Sequence, residues 1–328
     1  MKTYLVIAFM LSLSAAASQQ AGTLTQVDGT VKIFTNPGKT VQGPPPHALF
    51  EGEYYSVKDA SMGDRVEKGN IVRTAPGSKA RVVFENGDQI NVGSGTAYRV
   101  FWDKDSANAK TQINLMYGKM RGVIEKGGPR TRLTVKTKSA TMGVRGTDFF
   151  IADNGTDGGT EVSILRGSVE VKAETPTARP VEVKAGYSAE VPAAAAPVVA
   201  RKAEKAPEPA PVLAVRKTTR EDLVAIQKSS EVKAEIKKEI ANEEVTKKIE
   251  QLEKKAVETT IRDIKAADPK LYAQIQNKDI KSTSELNTRA VETLMKTAPK
   301  APEKRKPYLN EIDDLERGAY ERYFRIVD

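Results

Sequence analysis

Cysteine is absent from this 328-residue chain, and histidine occurs once, at His47 beside Pro44-Pro45-Pro46. Thiolate nucleophiles, disulfides and thiolate metal sites are excluded, and any imidazole relay would have to run through that one position. Beside a proline run, His47 reads as an ordinary surface residue. Carboxylate pairs stand at Asp103/Asp105 and Asp313/Asp314, the residue type with which a glycosidase protonates a leaving group and activates water. In loops such neighbours simply stay solvated. Asp153-Asn154-Gly155-Thr156-Asp157-Gly158 has the flavour of a calcium loop, but no Glu stands where the bidentate ligand belongs, so it reads as a turn. Gly93-Ser94-Gly95 lacks both the spacing and the His partner of a nucleophile elbow, and no phosphate loop, dinucleotide fingerprint or His-Glu-x-x-His helix occurs. The expectation is a protein without catalytic residues, metal or other cofactor.

Arginine offers a different chemistry at Val144-Arg145-Gly146-Thr147. Five fixed N–H donors let Arg145 tie carbonyls or a carboxylate together, or bind an anionic ligand if exposed. The first role, a partly buried corner brace, is the expected one. Gly146 beside it marks a bulge or a close backbone approach where a side chain would clash.

The elements that must position these residues are strands. From residue 22 to residue 191, short β-branched runs alternate apolar and polar residues: Ala80-Arg81-Val82-Val83-Phe84, Gln89-Ile90-Asn91-Val92, Glu161-Val162-Ser163-Ile164-Leu165, Ser168-Val169-Glu170-Val171. Period two marks strands with one face buried and one in water. Asn86-Gly87 between the first two predicts a tight hairpin, because Asn-Gly accepts positive φ cheaply. Only Asp105 to Tyr117 has any helical flavour, and a strand or loop suits it as well. Strands without intervening helices predict a mainly β domain, solenoid-like or sandwich-like.

Five segments of this block, in order, resemble the FecR domain family, named after a periplasmic iron-transport regulator. They are Gly69 to Val92, Tyr117-Gly118-Lys119-Met120, Ser139 to Phe149, Ile164 to Val171 and Ala185 to Val191. The Val144-Arg145-Gly146-Thr147-x-Phe149 element and the Gly167-x-Val-x-Val that follows it are the most distinctive pieces. The resemblance implies an all-β extracytoplasmic domain and transfers no catalytic residues. Regulators of this type signal through a membrane helix to a cytoplasmic segment handling a sigma factor. No such segment precedes a spanning helix in this sequence, so that role is not expected here.

The flanks supply the rest. Met1-Lys2, the apolar run Tyr4 to Leu13 and Ser14-Ala15-Ala16-Ala17-Ser18 have the three-part layout of a cleaved signal peptide, residues 1–18. The run is too short to span a bilayer, and no later segment could, so the mature chain is expected in the periplasm or secreted, without a membrane span. Residues 192–216 are an Ala/Pro-rich linker. Residues 217–328 read as a charged amphipathic helical tail, opened by a capping box at Thr218/Glu221 and free of Gly and Pro until Pro269. Its apolar seam needs a partner: the later helix near Glu285 to Met295, a second copy of the chain, or another envelope protein. Tyr320, Tyr323 and Phe324 could share a helix face that anchors the tail or docks a partner. The net charge of +9 is spread among interleaved Lys, Arg, Asp and Glu, which argues against a specific nucleic-acid patch. Three readings follow: an envelope binding or scaffold protein recognising an envelope protein or cell-wall component, an accessory of a FecR-type sensing system, and, last, a carbohydrate-active enzyme.

Overall fold

Alternating runs become strands wherever the sequence predicts them, and others join them. The computed structural model describes residues 22–102, 111–130, 132–154, 159–175, 177–193, 213–232, 242–276, 278, 280–302 and 325–327. Residues 1–18, expected as a signal peptide, and Asp103/Asp105, Asp313/Asp314, Tyr320, Tyr323 and Phe324 lie outside the described residues. The strands run β1 (Gly22–Asp28), β2 (Val31–Gly38), β3 (His47–Phe50), β4 (Glu53–Asp59), β5 (Arg65–Val66) and β6 (Ile71–Thr74). Next come β7 (Lys79–Phe84), β8 (Gln89–Val92), β9 (Ala97–Trp102), β10 (Thr111–Val123), β11 (Leu133–Lys136) and β12 (Ala140–Val144). The remainder are β13 (Asp148–Asp153), β14 (Thr160–Arg166), β15 (Ser168–Ala173), β16 (Val181–Lys184), β17 (Tyr187–Val191), β18 (Ala214–Lys217) and β19 (Arg325–Val327).

Pairing sorts them into two layers. Sheet A has the order β5-β1-β7-β8-β10-β13-β14-β17-β18. Sheet B has the order β19-β3-β4-β2-β6-β9-β10-β11-β12-β15-β16. Neighbours are antiparallel except β10 and β11. After β10 the chain lays down strands in twos, β11–β12 in B, β13–β14 in A, β15–β16 in B and β17–β18 in A. The result is a sandwich wound like a short solenoid, with features of both expected architectures.

β10 belongs to both sheets. Its first half pairs with β9, and Gly118–Val123 pairs with β13 in sheet A. Gly118, at φ +96, makes the corner; a Cβ there would lie 2.5 Å from Thr96 Cα and 2.6 Å from the Gly95 carbonyl oxygen. Only glycine fits such an approach without strain. The helical flavour before Tyr117 gives way to strand period, with Ile113, Leu115 and Tyr117 buried and their alternates half-buried.

Between the layers lies one continuous apolar core, including Leu24, Ile33, Val82, Ile90, Met120, Val135, Phe149, Ile151 and Ile164. Each such side chain contributes about 1.5–3 kcal/mol by leaving water. A second cluster, with Phe34, Tyr55, Ile71 and Tyr117, fills the outside of sheet B. His47 is not a surface residue: β3 pairs with β4, burying the imidazole, whose Nε2–H donates to the Gly43 carbonyl at 3.1 Å.

Among the described residues four helices follow: α1 (Arg220–Ser230), α2 (Glu243–Ala267), α3 (Pro269–Ile275) and α4 (Thr283–Met295). The capping box falls one residue later than the sequence predicts, at Thr219 and Asp222. The reason is that Thr218 still belongs to the sheet: its hydroxyl bonds Ser188 and its N–H donates to the Gly186 carbonyl. The 192–216 linker is likewise shortened, because Ala214–Lys217 pairs with β17 as a strand. α1 stops at Ser230, where Glu231 turns extended, and Lys79 of β7 donates to the carbonyls of Lys228 and Glu231. A lysine at that end satisfies carbonyls the helix leaves open. Asp268 ends α2 and caps α3, with Pro269 in the first turn. The expected contact with the later helix exists, since α2, α3 and α4 share Ile264, Leu271, Ile275 and Leu286. The helices do not stand apart as a tail; they lie on sheet A.

Candidate functional site: the helix-covered face of sheet A

Alternation in β7, β8, β10 and β14 turns one set of side chains into the core and the other outward. The polar members of the outward set include Arg81, Gln89, Asn91, Arg121 and Ser163, and each is buried to 1% exposure or less. Water is excluded by the helices. A buried polar group without a hydrogen bond costs several kcal/mol, so each needs a partner.

Arg81 is the centre of the face. Its Nε donates to Asn91 Oδ1 at 2.7 Å within the sheet, and its Nη2 to Ser284 Oγ of α4 at 2.9 Å. Nη1 reaches Thr283 Oγ1 and, at 3.4 Å, Glu253 Oε2 of α2. The Glu253 carboxylate also accepts from Thr25 of β1 at 2.6 Å and Thr283 at 2.7 Å. One helix carboxylate is thus held by a sheet guanidinium and two hydroxyls. Burial pulls the Arg81 guanidinium below its ordinary pKa, and Glu253 opposes that.

Two further nodes flank it. Arg121 grips Asp148 of β13 in a two-pronged pair, 2.8 and 2.7 Å, and also donates to the Asn287 carbonyl of α4 at 3.3 Å. Such fork-to-fork geometry is the strong form of a charge-assisted bond. Arg166, also buried, stands 3.8 Å from Asp263 of α2, a loose pair. Burial lowers the Arg166 pKa and raises that of Asp263. At the far edge Arg216 of β18 bridges Glu161 and Asp222. Burial pushes the Asp222 carboxyl up, but Arg216 and the Thr219 amide and hydroxyl outweigh it and hold it below the usual aspartate value.

Among the described residues, apolar contact between helices and sheet forms two patches. Phe150, Ala152 and Leu165 meet Leu223, Ile226 and Val291, and Val83 meets Leu252 and Ala256. Two open depressions lie along the seam between helices and sheet. One, of about 490 Å³, is lined by Glu85, Lys247, Lys248, Gln251, Leu252 and Lys255 among others. The other, of about 240 Å³, lies among Tyr187, Lys217, Leu223, Leu294, Ala298 and Pro299.

The motif singled out in the sequence sits at one end of this face. Val144 and Phe149 point into the inter-sheet core. Gly146, at φ +69, carries the chain from β12 in sheet B to β13 in sheet A; a Cβ there would lie 2.5 Å from Lys126 Cβ and 2.7 Å from its backbone nitrogen. Gly167, at φ +81, makes the return crossing, and a Cβ there would sit 3.0 Å from the Gly146 carbonyl oxygen and 2.9 Å from Thr147 Cγ2. Two crossings pack side by side because neither has a side chain. Arg145 is not the brace: it is exposed at the corner. The bracing guanidinium comes from Arg121, whose carboxylate partner, Asp148, lies three residues beyond Arg145. Alternation alone places Arg121, Arg81 and Gln89 on a face turned toward water; nothing local in the sequence says that helices cover it.

Residues 70–191 match the FecR protein family model. No curated protein matches the chain. Two crystal structures of a candidate anti-sigma factor from Parabacteroides distasonis, at 2.50 and 1.65 Å resolution, are similar at 15% identity and a TM-score of 0.36. Each similarity covers 47% of this chain and 62% or 63% of the other, so this chain spans less than two thirds of their length. From β6 to β17, with both glycine crossings inside the matched stretch, this chain carries a FecR domain.

Proposed function

We propose that the chain is a non-catalytic regulatory binding module of the FecR type, exported to the cell envelope, which takes up a ligand and reports to a separate envelope protein. The observation that supports this most is the placement of the helices: they cover the FecR domain through buried ion pairs, and open depressions follow the seam. A ligand settling in such a seam changes how the two parts fit, and so what the outer surface presents. The FecR family match on residues 70–191 supports regulation over a purely mechanical role.

A fixed scaffold is the second reading, favoured by exposed Tyr187, Val215 and Val224 around β17, β18 and α1. Capture with full-length protein from envelope extracts, with and without their low-molecular-weight fraction, separates the two. The regulatory reading expects the bound set to change with that fraction. An unchanged set would establish the scaffold instead.

A further inference from the structure

Sheet A carries a mismatch between its sequence and its surroundings. Its outward residues alternate as in a strand facing water, yet they are as buried as the core. A permanent cover would be expected to meet apolar residues, since desolvating charges offsets most of what their pairing contributes. Here Arg81, Gln89, Arg121 and Arg166 meet Glu253, Thr260, Thr283, Ser284, Asn287 and Asp263, and apolar contact is left to Val83, Phe150, Ala152 and Leu165.

The sheet side is also largely self-sufficient. Arg121 keeps Asp148, Arg81 keeps Asn91, and every strand keeps its ladder without the helices. The cover side would bare Leu252, Ala256 and Val291, while Glu253, Thr259, Thr260, Asp263, Thr283 and Ser284 are polar and readily solvated. The joint is loosest at Arg166–Asp263, 3.8 Å apart.

We propose that α2 and α4 are a displaceable occupant of sheet A, and that its outer face is a docking surface for an amphipathic, carboxylate-bearing helix of a partner protein. The partner helix would present a carboxylate to Arg81, as Glu253 does, with small apolar residues over Val83, as Leu252 and Ala256 do. α2 is then the internal copy of that ligand, and partner binding requires its release. The proposal stands on the interface alone and does not depend on the regulatory reading.

Hydrogen exchange on the unmodified full-length protein tests the first half. The amides of α2 and α4 should open together, with protection at least about ten-fold below that of β8, β10 and β13. Equal protection would make the helices an integral layer and overturn the proposal. A tether sharpens the result, since the chain has no cysteine of its own. A Cβ at Gly63 would lie 3.7 Å from Val245 Cβ, within the span of a disulfide. Oxidised Gly63→Cys/Val245→Cys protein should lose the difference and regain it on reduction, despite some strain from φ +93 at Gly63.

The second half is read with a fluorescent peptide of residues 243–267 added to the full-length protein. Glu253→Lys in the protein sets a cation against Arg81, releases α2, and should tighten peptide binding about ten-fold or more over the unmodified chain. The same substitution in the peptide, or the oxidised tether in the protein, should abolish binding. A peptide that binds all forms alike, or none while α2 opens freely, would overturn the docking surface.

Discussion

Sheet A is buried on both faces, and the two faces are made of different material. The inner one carries Leu24, Val82, Ile90, Met120, Ile151 and Ile164, packed against sheet B. The outer one carries Arg81, Gln89, Asn91, Arg121 and Ser163 beside two small apolar patches at Val83 and at Phe150, Ala152 and Leu165, packed against helices. Apolar burial is non-directional and tolerates small shifts, whereas a buried guanidinium needs its acceptors in place. The inner face therefore holds the domain together, and the outer face decides which arrangement of helices it accepts.

The largest effects should come where the outer face is most exacting. Asp148→Ala leaves Arg121 buried and uncompensated, a loss of about 3–5 kcal/mol. The double change Arg121→Met/Asp148→Leu removes both charges and should recover most of that loss. Urea unfolding of the three proteins checks it; a double variant as weak as the single would mean the pair is needed for more than mutual neutralisation. On the inner face Ile151→Ala should cost about 2–5 kcal/mol through lost burial and the cavity left behind. That loss should lower the midpoint of the whole sandwich. Glu253→Gln keeps the shape of the Arg81 node but removes its charge, and should cost about 1–3 kcal/mol. Segment-resolved hydrogen exchange should place that loss in α2 and α4 and leave β8 and β13 protected. If the strands loosen equally, the two faces are not energetically separate.

Acid should divide the helical cover itself. Asp222 is held below its ordinary pKa, so its share of stability is complete above about pH 4 and is lost as pH falls through the lowered value. Asp263 is raised by burial, so its charged form is penalised at neutral pH and the penalty is relieved as pH falls through the raised value. Between pH 6 and pH 3 the start of α1 should loosen while the end of α2 does not. Asp222→Asn should flatten the acid response of α1 in exchange measurements; an unchanged response would remove Asp222 as its source.

The contrast between faces also explains what could be read in advance. Period two and the Asn86-Gly87 turn locate β7 and β8, since a strand's own residues set its pleat and its hairpin. Gly146 is legible as a close approach, while the matching role of Gly167 emerges only from the two crossings packed together. Arg81 and Arg121 were not legible as site residues. A polar residue at an outward strand position is the normal signal for water, and what covers it comes from residues more than a hundred positions away. His47 failed in the same manner, buried by a neighbouring strand rather than exposed by its prolines. Nor does the sequence mark the break at Ser230, where Lys79 from the sheet closes α1 and no Gly or Pro stands.

Arg145 is the smallest effect and the cleanest contrast with Arg121. Both are arginines close to Asp148, one exposed at the corner and one buried against the carboxylate. An exposed side chain loses little on truncation, so Arg145→Ala should change stability by no more than about 0.5 kcal/mol. A thermal midpoint matching the unmodified chain is the expected reading. A drop comparable to that of Asp148→Ala would mean that the corner, rather than the Arg121 fork, carries the brace. In that event the motif would work through its exposed side, and the helix-covered face would lose its claim to be the exacting half of the sheet.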